Sequence, residues 1–297
     1  MGYYAHILLD SITEQGDRLT TMEVCFPRMI LAEFNTHRVF SRNSASSRAI
    51  PVSTMIQRVK DDPFIPTYWG KNQPGMQANS PLTRNYRAQA EAIWRAQLKE
   101  ALYAATELAR LGTHKQLANR ILEPFMWHTV IVTATEWSNF FALRANKDAQ
   151  PEMQTIADCM QQAYHASIPQ LVEIGQWHLP LLQADERLDA QLDIVQACKI
   201  SAARCARVSY LTHDGVRDIA KDIQLYNRLV SAGHMSPLEH VATPLCYTAI
   251  EWGNARLEPR EIVRGSSDFC GNFRGWEQLR KSIPHEADFS LRPPANQ

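Results

Sequence analysis

The chain has 297 residues, 45% hydrophobic and 21% charged, and its 31 Lys+Arg balance 31 Asp+Glu to give no net charge. That composition suits a globular protein with a sizeable core, and it lacks the basic footprint of a protein that binds nucleic-acid polymers. No apolar run approaches the ~18–20 residues needed to span a bilayer, so no membrane partner is expected. The six cysteines are scattered, with no CxxC. Without a secretory signal pattern at the N-terminus they read as reduced thiols of a cytoplasmic protein.

Residues 3–10 and 18–26 carry β-type patterns, and the run Thr21–Phe26 alternates in and out until Pro27. RMILAEFNTHR then reads as a short buried helix. Residues 61–82 hold four prolines and two glycines and read as a long loop. From Thr83 a helical stripe of Trp94, Leu98, Ala101, Leu102, Ala105 and Leu108 runs until Gly112. A shorter helix over 114–122 carries Arg120 and ends before Pro124. Residues 125–135 are apolar and suit either a strand or a buried helix. Helices are expected over 136–147, over 151–168 with Pro151 in the first turn, and over 216–232 up to Gly233. Residues 241–252 read as a strand and 286–297 as a flexible tail. Together these predict one domain over 1–297 of mixed α/β (α+β) type, with a central mixed or antiparallel sheet flanked by long helices.

Four segments concentrate chemistry. THRVFSRNSASSRA (36–49) packs three arginines and four serines with no acid. There is no GxGxxG and no GxxxxGK[ST], so any phosphate must be held by side chains, and the arginine fork suits that task. Read alone, the stretch fits a helix-capping loop better than a site. SNFFALRANKDAQPEM (138–153) places Arg144 beside a mostly apolar helix surface, where a snorkelling arginine is an equal alternative. GHMSPLEH (233–240) flanks Glu239 with His234 and His240, but their spacing does not put both on one helical face, so no metal is expected. ARCARVSY (203–210) sets Cys205 between Arg204 and Arg207. A basic setting favours a nucleophilic thiol, although most free cysteines are small core residues.

Taken together, THRVFSRNSASSR, SNFFALRANKDAQPEM, GHMSPLEH and ARVSY, with HKQLANRILEP (114–124) and NFRGWEQLRK (272–281), resemble the flavin-dependent thymidylate synthase family. The resemblance covers roughly 20–50, 114–175 and 200–245. The order differs from the family pattern: ARVSY and GHMSPLEH follow the arginine-serine segment here instead of preceding it, as in a circular permutation. The resemblance implies a catalytic Arg144 that meets the pyrimidine edge and stabilises charge at C5. It implies a nucleotide site of Glu33, Ser44, Ser46, Ser47, Arg48, Arg120 and Arg144. It also implies an FAD site of His37, Arg38, Val39, Asn43, Thr133, Asn139, Ser209, His234 and Ser236. Methylenetetrahydrofolate and NADPH would be co-substrates, the substrate a pyrimidine deoxynucleotide monophosphate, and the assembly a homotetramer.

Several positions depart from the family pattern. Thr36 stands for the first arginine of its triplet and Ser44 for a glutamate. Thr133 and Thr135 stand for Asn and Arg at the flavin, and Glu33 for a glutamine. An amide donates and accepts, whereas a carboxylate only accepts. Uracil O4 wants a donor and the cytosine amino group an acceptor, so Glu33 suggests a cytosine base, and a hydroxymethyl product is a further option. These losses around the flavin also suit an alternative, a nucleotide-binding regulatory or structural relative without catalysis.

Overall fold

The alternation around Thr21–Phe26 builds the central strand of the molecule. The computed structural model describes residues 2–187, 192–208, 217–245, 267–288 and 290. Five strands form the main sheet: β1 (Tyr4–Ile12), β2 (Arg18–Pro27), β3 (Ser41–Ser44), β4 (Trp127–Ala134) and β5 (Gln170–Leu171), in the order β3-β4-β2-β1-β5. All pairings are antiparallel except β1 with β5, so the sheet is mixed, as expected. Residues 125–135 resolve as strand because β4 is paired on both sides, by β2 and by β3. A second sheet of two strands, β6 (Ala242–Pro244) and β7 (Trp276–Gln278), is antiparallel. Of the strand expected over 241–252, residues 246–252 lie outside the described residues.

The helices are α1 (Leu31–Phe34), α2 (Val52–Asp61), α3 (Arg84–Arg110), α4 (Lys115–Ala118), α5 (Ser138–Arg144), α6 (Pro151–Ala166), α7 (Ala184–Arg187), α8 (Ile194–Ala206) and α9 (Ile219–Ser231). Three of them correct the sequence reading. The helix expected over RMILAEFNTHR stops at Phe34; the chain then turns, because residues 41–44 are required as the edge strand beside β4. The helix expected over 114–122 is a single α turn that tightens into a 3-10 helix from Asn119 to Phe125, and Pro124 fits inside it. The helix expected over 136–147 is confined to Ser138–Arg144. In contrast, 62–83 is free of helix and named strand, as the prolines predict.

The two faces of the sheet differ in chemistry, because successive strand residues point to opposite sides. Met22, Val24 and Phe26 of β2, with Val130, Val132 and Ala134 of β4, pack against Phe140 and Phe141 of α5 and Met153, Ile156 and Met160 of α6. The opposite face presents Ser11, Thr21 and Thr133, all essentially inaccessible, to the chain around His178 and His240. A separate cluster joins α2, α3 and the 3-10 turn through Ile56, Val59, Leu98, Ala105, Leu122 and Phe125.

The segment around α8 and α9 is fastened by a buried ion network. Arg204 donates to Asp222 at 2.9 Å and, through both terminal nitrogens, to Glu186 at 2.6 Å. Arg207 also pairs with Asp222. Partnering of this kind is what permits a fully buried arginine. Near the chain end, Glu286 is held by Arg280 and Lys281 at 2.7 Å each; residues 289 and 291–297 of the expected tail lie outside the described residues.

Candidate active site

The arginine-serine segment enters the site through the turn after α1. His37 is buried, and Arg144, at the end of α5, donates from Nε to His37 Nε2 at 2.9 Å and from Nη2 to Thr36 Oγ1 at 3.3 Å. His37 accepts this bond because it is neutral. Burial first, then the charges of Arg144 and Arg42, pull its pKa down to about 4. Phe140 meets the His37 ring edge-on at 4.8 Å between centroids, so an apolar wall backs the imidazole. Arg42 donates to the carbonyls of Phe34 and His37 at 3.3 Å each; it braces the turn that carries the histidine. Thr36, where the family pattern has arginine, supplies an acceptor to Arg144 in place of a second cation.

The serine loop that follows β3 is anchored from below. Asn119, fully buried, donates through Nδ2 to the carbonyls of Ser47 (2.7 Å) and Ile50 (3.0 Å), and Lys115 donates to the carbonyl of Ala49 at 3.1 Å. Glu123 then gathers three donors: Arg120 at 2.7 Å, Ser47 Oγ at 3.2 Å and Arg28 at 3.4 Å. Arg28 also lies 3.1 Å from His128 Nε2, and burial together with that charge lowers the His128 pKa to about 3. Arg48 and Arg120 are exposed, Arg120 with one terminal nitrogen on Glu123, so each presents donors toward solvent.

The remaining candidates fall on two sides of β3. Gly233, at φ +76°, ends α9 in a left-handed turn: His234 donates its backbone N–H to Leu229 and Gly233 to Val230. This turn leaves His234 and Ser236 exposed and starts the 3-10 helix Ser236–His240. That helix packs on β3, where His240 Nε2 lies 3.3 Å from Asn43 Oδ1. Arg38, Val39, Ser44, Glu33 and Asn139 are exposed. Thr133 differs: it is fully buried, with its hydroxyl between Thr21 and His240 at 2.7 Å each, so in this chain it offers no surface to a ligand. Ser209 lies outside the described residues.

The structure thus joins 36–48 to Arg144, to 114–123 and to 233–240. The sequence reading missed the supports. Asn119 sits one position before Arg120, so the motif pointed at its neighbour. Asn272 and Gln278 lie in the NFRGWEQLRK segment; Asn272 donates to the Val39 carbonyl at 2.7 Å and lies 3.2 Å from Ser41 Oγ. Cys205 is fully buried, and burial pushes its thiol pKa up; it is a core residue and no nucleophile. Both nitrogens of His240 are occupied within the protein, which removes it from any metal pairing with His234.

With this geometry in hand, one comparison with known proteins identifies the family. The sequence profile described as "Thymidylate synthase complementing protein", the flavin-dependent thymidylate synthase family, matches residues 11–170. The chain belongs to that family. The match ends before the segments 206–210 and 233–240. A solved structure of a UMP/dUMP methylase, PolB from Streptomyces cacaoi, bound with 5-Br UMP, is similar at TM-score 0.46 and 13% identity, over 55% of this chain and 88% of that one. The same methylase bound with 5-Br dUMP gives TM-score 0.41 and 17% identity, over 50% and 66%. No curated protein matches the sequence.

Proposed function

We propose that the protein transfers a one-carbon unit to C5 of a pyrimidine deoxynucleotide monophosphate, with FAD as cofactor and methylenetetrahydrofolate and NADPH as co-substrates. Family membership supports the reaction class. The observation that carries the site is the meeting of Arg144 with His37, on the segment whose Ser47 shares Glu123 with Arg120.

Each side chain has a role that follows from its surroundings. Ser44, Ser46, Ser47, Arg48 and Arg120 bind the nucleotide phosphate by charge-assisted hydrogen bonds. Asn119 holds the serine loop at the required height. Arg144 is the catalytic residue: its guanidinium meets the carbonyl and N3 edge of the base and stabilises the negative charge that spreads through the ring as C5 becomes nucleophilic. Neutral His37 takes the Arg144 Nε proton donor and thereby orients the fork without adding repulsion. Exposed Glu33 accepts from the base, which favours a cytosine amino group over uracil O4; a hydroxymethyl product is included in the proposal.

FAD requires donors for its pyrophosphate and ribose and an apolar surface for its ring. Exposed Arg38, Asn139, His234 and Ser236 are donors of the right kind, and Val39 is an exposed apolar neighbour of Arg38 in the chain, so the chemistry of this donor set suits the group; Asn43 lies on β3, against which the 3-10 helix beginning at Ser236 packs. When bound, the flavin supplies the hydride and redox capacity that no side chain has. The motif order is read as a permutation within one domain. The contact between the 3-10 helix Ser236–His240 and β3 brings the late segment against the early one, which is what such a permutation must preserve. A homotetrameric assembly is part of the same proposal.

The test is mass analysis of the nucleotide product after incubation with methylenetetrahydrofolate, reductant, FAD and either dUMP or dCMP. Product from dCMP supports the full reading. Turnover of dUMP alone removes the cytosine assignment. The second reading, a nucleotide-binding relative without catalysis, is favoured by the internal use of the Thr133 hydroxyl. Colourless protein that takes up no FAD yet binds nucleotide would support it.

A further inference from the structure

A chain of side-chain hydrogen bonds crosses the polar face of the sheet. Ser11 Oγ lies 2.8 Å from His178 Nδ1, and His178 Nε2 lies 2.8 Å from Thr21 Oγ1. Thr21 Oγ1 lies 2.7 Å from Thr133 Oγ1, which lies 2.7 Å from His240 Nδ1. His240 Nε2 closes the chain at Asn43 Oδ1, 3.3 Å away. Ser11, Thr21, Thr133, His178 and His240 are all within 1% of complete burial. The β2–β4 register sets Thr21 opposite Thr133, which is why two hydroxyls can link the two imidazoles.

Such a chain can run in either direction throughout or change direction at a hydroxyl, and only one arrangement gives every hydrogen an acceptor. A threonine hydroxyl has one hydrogen, and a neutral imidazole has one N–H and one bare nitrogen. A hydroxyl oxygen can accept twice, so a change of direction at Thr21 or Thr133 strands that group's hydrogen. In the first state Ser11 donates to His178 Nδ1 and His178 Nε2–H donates to Thr21. Thr21 then donates to Thr133, Thr133 to His240 Nδ1, and His240 Nε2–H to the Asn43 carbonyl. In the reverse state every bond points the other way. Asn43 then has to turn its amino group inward, and the hydrogen of Ser11 is left without an acceptor. Ser11 Oγ meets only His178 among the described residues, and a buried donor without a partner is costly. The carbonyl end of Asn43 also faces His240. Both ends select the first state.

We infer that this chain from Ser11 to His240 is a positioning device. It locks both histidines as Nε2–H tautomers and holds the Asn43 amide with its carbonyl inward and its amino group turned toward the candidate site. Ser11, His178, Thr21, Thr133 and His240 are positioning residues; Asn43 is the group presented. Among the described residues the Asn43 Nδ2 meets no acceptor, which leaves it as a donor on β3 between Arg38 and the serine loop. Flipping the amide leaves the hydrogen of Ser11, Thr21 or Thr133 without an acceptor, wherever along the chain the reversal stops. The edge strand therefore presents a donor of fixed direction, although an isolated asparagine on it could turn either way. Its target, an acceptor atom of FAD, rests on the flavin reading; the lock itself does not.

The experiment is nitrogen NMR of the imidazole rings in the full-length protein, with assignments from His178→Gln and His240→Gln. Both rings are expected as Nε2–H tautomers that stay unprotonated from about pH 7.5 to about pH 6. An Nδ1–H tautomer at either ring overturns the inference. Asn43→Asp supplies a second measurement: it keeps the acceptor for His240 and removes the outward donor. His240 is expected to remain Nε2–H in this variant, and FAD affinity, followed by flavin fluorescence, to fall by about tenfold. A change of the His240 tautomer between the two proteins overturns the lock. Unchanged FAD affinity overturns the presentation of the donor. Wild-type protein that takes up no FAD while both rings are Nε2–H refutes the flavin reading and leaves the lock standing.

Discussion

Acidification from about pH 7.5 to about pH 5.5 is expected to remove about 5 kcal/mol of folding stability. His128, His178 and His240 are at most 2% exposed. Burial drives each pKa down to about 3, with the Arg28 charge adding at His128, and Arg187 and His240 adding at His178. The sign follows from where protons bind. Above the ordinary histidine value of ~6.5 neither folded nor unfolded chain carries the proton, and stability is flat. Below it the unfolded chain takes up protons that the folded chain refuses, so stability falls as pH falls. At about one pH unit below 6.5 each group contributes about 1.4 kcal/mol, and three give about 4. The magnitude depends only on the folded values lying well under 5.5. His37, held down to about 4, acts in the same direction and brings the sum to about 5. Carboxylates stabilised by arginine, such as Glu186, act at lower pH and do not enter this window. Urea unfolding at the two pH values measures the difference, and His178→Gln and His240→Gln should each flatten it by about a quarter. Equal stability at both pH values would refute the neutral buried histidines and, with them, the physical basis of the hydrogen-bond chain.

Asn119→Ala removes two buried hydrogen bonds to the serine loop and should destabilise by about 2 kcal/mol, read as a lower urea midpoint. Nucleotide monophosphate affinity, measured by calorimetry, should weaken in the same variant. Glu33→Gln should shift preference from dCMP toward dUMP by at least about tenfold in paired turnover assays, because the amide regains a donor. The Cys205 thiol should stay unreacted with a thiol reagent at about pH 8 in the folded protein and react on unfolding, since burial keeps it protonated.

Much of the candidate site was legible because charge and hydroxyl groups are concentrated in segments with family resemblance. His37, Arg144, Ser47 and Arg120 all lie where those segments meet. The groups that hold them were hidden for separate reasons. Asn119 is a single polar residue inside an apolar turn, and nothing local distinguishes it from a surface asparagine. Glu123 reads as an ordinary acid until folding sets Arg28, Arg120 and Ser47 around it. Thr133 was assigned to the flavin site by its position in the family pattern, and such a position does not reveal what covers the side chain.

By itself the sequence determined the periodic elements, since a two-residue or 3.6-residue repeat of apolar side chains is a local property. It also determined the long irregular segment, read at 61–82 and found at 62–83, where proline fixes the backbone directly. Residues 41–44 became a strand only because β4 had an unpaired edge, and backbone pairing is a long-range condition. The His37–Arg144 contact spans 107 positions and the His240–Asn43 contact 197. Tertiary structure alone brings such groups within hydrogen-bond distance, and only then do burial and neighbouring charge decide which of them are neutral, which donate and which face the ligand.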